Sequence, residues 1–200
     1  MANLKHYGGA PSVLMVVAAL TYLNPLFGGS FRSIGGQNLS GGEVAGCNGA
    51  MLEISGSEHK LLELHNEACA GHGAPELCYQ ENLADAAHGH SEDMLERDYF
   101  SHDYLEGQGP ADRMLAAGYD RGGYRSWRVA ENIYKIEGSG ADPDSETRES
   151  VVNGWMESSG HQENISAPEF RELGFGVATD GFSGTSEETG LYAATFGMRE

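Results

Sequence analysis

Residues 83–102 read LADAAHGHSEDMLERDYFSH, and within them Leu83, Ala86, Ala87, His90 and Met94 recur at helical spacing. An amphipathic helix with a histidine on its buried side is therefore the reference from which the rest is placed. On its N-terminal side, Leu61, Leu62, His65, Ala68 and Cys69 repeat the pattern after a serine cap near Ser57, which predicts an earlier helix. On its C-terminal side, Gly109-Pro110 opens a short helix that stops at Gly118, with proline in the first turn and glycine past the end. Ser145 starts a fourth, with Val151, Val152, Trp155 and Ser158 on one side, that stops by Gly160. Strands fit residues 129–136, 173–179 and 191–196, the last two joined by the turn-rich stretch 180–190. Helices first and a strand pair last predict an α+β layered arrangement, not alternating βαβ units.

The 200-residue chain has 30 acidic and 12 basic residues and a formal net charge of −18. Residues 1–57 hold only Lys5, Arg32, Glu43 and Glu53, so the whole excess falls on residues 58–200. Nucleic acid is excluded as a partner on this balance, because duplex binding depends on Lys and Arg displacing condensed counterions. Three lysines beside nine arginines suit either a high-salt habitat, where self-repulsion is screened, or an ordinary acidic extracellular domain.

Residues 13–23, VLMVVAALTYL, are apolar except for Thr21 and follow Lys5 and His6. That length predicts a signal peptide or signal anchor over residues 1–27 and places the remainder outside the cytoplasm, secreted or held at the outer side of the membrane. Residues 28–57 carry nine glycines and little apolar period, so a flexible Gly-rich linker is expected there, with one domain over 58–200. Val44-Ala45-Gly46-Cys47 resembles a lipoprotein processing box, but polar residues separate it from the apolar core, so it reads as a coincidence of small residues. Among three cysteines, Cys69 and Cys78 are near enough to pair across a helix–loop junction, leaving Cys47 odd; two buried free thiols suit the same positions.

Taken in order, His65-Asn66, Ala87 to Met94, Tyr99-Phe100-Ser101-His102, Asp112-Arg113, Gly118-Tyr119, Ala130-Glu131-Asn132-Ile133, Trp155 to His161, Asn164-Ile165, Leu173-Gly174-Phe175-Gly176 and Phe196-Gly197 resemble the bacterial and archaeal branch of the CAP superfamily. That group comprises cysteine-rich secretory, antigen 5 and pathogenesis-related proteins. The resemblance implies an α-β-α sandwich, a small antiparallel sheet covered by helices on both faces. It also implies a cleft lined by His102, Glu131 and His161. A second cavity glutamate of the animal and plant branch is replaced by Ser158, and Glu157, one helical step of about 100° away, should point elsewhere. Ala130 stands where the family's Gly-Glu-Asn motif has glycine, and Cys69 where relatives commonly have arginine.

Two imidazoles and a carboxylate suit zinc or another divalent metal, with His102, His161 and Glu131 as ligands. The same three groups can equally hydrogen-bond one another and fix the loops around the cleft. No His-Glu-x-x-His or completed Gly-x-Ser-x-Gly motif is present. Three functions follow: a binding module for a lipid, peptide or cell-envelope ligand; a metal-assisted hydrolase; or an adhesion domain with a vestigial cleft. Of the other histidines, His65 and His90 read as satisfied core groups, and His88 with Glu92 as a surface helix pair. Trp127, Tyr124 and Tyr119 pack in the core or line a lipid or glycan site. Asn38-Leu39-Ser40 and Asn164-Ile165-Ser166 match short glycosylation sequons.

Overall fold

A computed structural model describes residues 41–138, 145–180 and 188–200. The apolar stretch 13–23 and the first sequon lie outside them. Among the described residues no helix is long and apolar enough to cross a membrane. The elements run β1 (Gly42–Ala45), β2 (Met51–Ile54), α1 (Gly56–Gly71), β3 (Cys78–Tyr79), α2 (Glu81–Glu96), α3 (Pro110–Ala116), β4 (Trp127–Glu137), α4 (Ser145–Glu157), α5 (Ser159–Ile165), β5 (Glu172–Thr179) and β6 (Thr189–Arg199). The main sheet has the order β3-β5-β6-β4, antiparallel except for the short parallel pair β3 and β5.

The alternation of side chains along β5 builds the layers. Leu173 and Phe175 are fully buried and join Leu61 of α1 and Val151 and Trp155 of α4 in the principal core. Gly174 and Gly176 face α2, whose backbone lies so close that a Cβ would come within 2.1 Å of Ala84 N and 2.2 Å of Ala87 C. Thr195 of β6 fastens the same helix through Oγ1, which donates to Leu83 O at 2.9 Å. On the other face, Trp155 Nε1 donates to Ile133 O at 3.0 Å and draws α4 onto β4. The result is the expected α-β-α sandwich.

Three expectations need correction. Residues 42–54, assigned to the flexible linker, form the antiparallel hairpin β1–β2, with Val44 and Ile54 in the principal core. Helix α1 accordingly begins earlier than Ser57. Its cap is Ser55, whose Oγ accepts from Glu58 N while Glu58 Oε2 accepts from Ser55 N. The disulfide joins Cys47 to Cys78, with Cα atoms 5.0 Å apart, because the bridge Gly46–Tyr79 sets the hairpin beside β3. Cys69 instead points inward, its thiol donating to Ile165 O, and burial pushes that thiol up to about 11. Finally, His88 pairs across helices with Glu58, not along α2 with Glu92. Burial alone would raise the Glu58 carboxyl, but hydrogen bonds from His88, Ser55 and Tyr79 outweigh it and hold the group at about 2.

Candidate functional site

Strand β4 carries Glu131 into the interior, where its side chain is almost wholly shielded from water. Such a charge must be neutralised locally. Arg113, brought by α3, donates through Nη2 to Glu131 Oε2 at 2.7 Å, and its own side chain is equally buried. The other oxygen, Oε1, accepts from His102 Nδ1 at 2.9 Å. With Nδ1 donating, a neutral His102 ring keeps its lone pair on Nε2. The His102 side chain is 46% exposed, so the ring is partly open to solvent.

The loop carrying His102 is held by the same arginine, whose Nη1 donates to His102 O at 2.8 Å and to Gln108 O at 3.3 Å. Its guanidinium stacks 4.8 Å from the Tyr104 ring centroid. From below, buried His90 donates through Nε2 to Ser101 O at 2.9 Å and approaches Glu131 Oε1 at 3.8 Å. Burial and the Arg113 charge hold His90 below the usual imidazole range despite Glu131.

His161 sits on α5, a short helix that begins where the sequence reading ends α4 and that it did not predict. Asn132, fully buried beside Glu131 in β4, donates to His161 O at 3.1 Å and accepts from Asn164 Nδ2 at 2.8 Å. The Asn164 amide is thus occupied within the fold. Partial burial and the neighbouring His102 charge depress the His161 imidazole. Of the three expected residues, Glu131 is bonded to His102 and not to His161, whose ring lies near enough to His102 to feel its charge. Glu157 is exposed, as its helix position implied.

The donor set does not form a metal centre as arranged. Among the described residues no group of three or more His, Cys, Asp and Glu side chains is placed to hold an ion, and both oxygens of Glu131 are occupied. No serine, threonine or cysteine among the described residues is hydrogen-bonded to either cleft imidazole. Arg113 and Asn132 are the site residues whose roles the sequence reading missed, whereas His90, read as a satisfied core group, is buried and bonded to Ser101 O. Both missed residues stood inside recognised motifs, yet only the fold brings α3 to the carboxylate that β4 carries.

Residues 62–193 match the CAP, or cysteine-rich secretory protein, family, and the chain belongs to it. It is 31% identical over 141 residues to the protein YkwD of Bacillus subtilis, covering 70% of this chain and 50% of that relative. A solved extracellular protein containing an SCP domain from Bacillus anthracis is 28% identical, with a TM-score of 0.55 over 72% of this chain and 41% of the other. An outer surface protein of Borrelia burgdorferi shares the fold at 18% identity, with a TM-score of 0.52 over 70% of this chain and 90% of the other. This chain thus spans half the length of the curated Bacillus subtilis relative.

Proposed function

We propose that the chain works outside the cytoplasm as a binding module, its cleft taking an amphipathic lipid of the cell envelope between His102 and His161. The carrying observation is the commitment of Glu131 to Arg113 and His102, which leaves the imidazole edges to address a ligand without an activated nucleophile. Phe100 and Leu105, on the same loop as His102, are 47% and 59% exposed and offer apolar surface for a lipid chain. The polar head would meet His102 Nε2, an acceptor when neutral and a donor when protonated.

Native mass spectrometry of the exported protein tests this reading. A lipid adduct is expected on the wild type, and its loss in His102→Ala and His161→Ala at unchanged melting temperature. No adduct on the wild type, together with no thermal shift from added lysophospholipid, would overturn it. A metal-assisted hydrolase is the second reading, favoured by the proximity that lets the His102 charge reach His161. It would require both rings to turn toward one ion and Glu131 to release Arg113. Calorimetric titration with zinc separates the two, since only this second reading expects stoichiometric binding that His161→Ala abolishes.

A further inference from the structure

The hairpin ahead of the family-matching residues creates a groove of about 910 Å³ that is separate from the His–Glu cleft. Its floor is apolar, from Val44, Leu62 and Leu77, all buried. Three exposed carboxylates, Glu63, Glu67 and Glu76, stand along it, and no lysine or arginine is among its lining residues. Glu63 lies 3.6 Å from His59 and 3.7 Å from Lys60 at its border. Glu67 and Glu76 make no ion pair among the described residues.

The groove is preformed. Asn66 of α1 grips the Leu77 backbone from both sides, Nδ2 donating to its carbonyl at 3.1 Å and Oδ1 accepting from its amide at 2.9 Å. The Cys47–Cys78 disulfide closes one end. At the other, Gly42 backs onto His59 so tightly that a Cβ would come within 2.3 Å of the ring. The single bridge Gly46–Tyr79 joins the two segments, and both the chain at 76–78 and strand β1 line the groove. Among the described residues the second edge of β1 has no further ladder partner.

We propose that this groove docks an extended peptide segment bearing lysine or arginine at alternate positions. An unpaired strand edge is a template for a further strand. The apolar floor accepts every second side chain of such a segment, and the free carboxylates face the cationic ones. The occupant is therefore a basic, alternating stretch of another envelope protein.

The test is fluorescence anisotropy of a labelled alternating Lys-Val peptide with the full chain at low salt. Binding is expected, weakened about tenfold by Glu67→Gln/Glu76→Gln and by Ala45→Lys, which sets a cation at an exposed lining position. The alternating Glu-Val peptide should not bind, and Asp120→Asn/Glu157→Gln, exposed acids outside the groove's lining, should leave the affinity unchanged. Equal weakening by that control pair would overturn the proposal in favour of net charge alone. Tighter binding in Arg32→Gln would overturn it in favour of the chain's own N-terminal residues. Self-association that Ala45→Lys abolishes, with peptide binding unaltered, would overturn it in favour of a second copy.

Discussion

Glu131 is a carboxylate held in the interior by one guanidinium and one imidazole, and the three depend on each other unequally. Removing Arg113 strands the buried charge, whereas removing His102 leaves the closer partner in place. Arg113→Met should therefore cost about 3–5 kcal/mol in urea unfolding, and adding Glu131→Gln to it should restore part of that loss. A second residue-scale expectation concerns His65, fully buried, with Nδ1 donating to Leu61 O and with rings of Trp155 and Phe175 against it. Burial depresses its imidazole to about 4, the Leu61 bond opposing only in part. Because the unfolded ring takes up a proton near 6.5 and the folded ring near 4, the stability it supports is present above 6.5 and lost as pH falls between those values. The loss is about 3 kcal/mol from this one group. His65→Leu should flatten the unfolding free energy over that interval, while Glu58 continues the acid loss from 4.5 down toward 2 in both proteins. At this scale motif order singled out His102, Glu131 and His161, and of these the structure bonds His102 to Glu131. Motif order could not show that Arg113 is the counterion, because the pair spans eighteen positions and two elements.

Helices and strands were legible where the apolar period is long enough to be counted. Helices α1 and α2, the short α3 begun by Pro110, and the strands β4, β5 and β6 all lie close to their expected positions. The hairpin was not, because GEVA and MLEI are only four residues each and their apolar side chains find partners in α1 and the principal core, not in a local repeat. Strand β3 has two residues and is defined by tertiary pairing, with β5 on one side and the Gly46 bridge on the other. The glycines of Leu173-Gly174-Phe175-Gly176 carry a different lesson, since their motif spacing is explained by the closeness of α2. Gly176→Ala must push the helix backbone away from the sheet, and should lower stability by about 2 kcal/mol or more. The observable is the chemical-denaturation midpoint, and an unchanged value would mean that α2 shifts without cost.

Across the whole molecule, charge is distributed far less evenly than fold. The net −18 resides entirely on residues 58–200, and few of the carboxylates are compensated by buried cations as Glu131 is. Self-repulsion of such a surface is screened by ions, with a Debye length of about 10 Å at 0.1 M and 3 Å at 1 M. Melting temperature should therefore climb steadily from low to molar potassium chloride if the composition is an adaptation to salt; a flat profile would return it to that of an ordinary acidic domain.

The Cys47–Cys78 bond also determines how this domain responds to being pulled. Tension applied to the chain ahead of Gly41 passes from Cys47 directly into Cys78 at the sheet edge. Helix α1 and the β2 strand lie within the closed loop, off the covalent path of the load, and β2 feels it only through its ladder with β1. The bridged cysteines are 31 positions apart, so at about 3.6 Å per residue the oxidised protein should extend about 110 Å less on forced unfolding than the reduced one. A domain clipped in this way can be tugged from its N-terminal side while α1, one wall of the acidic groove, remains covalently bypassed by the load.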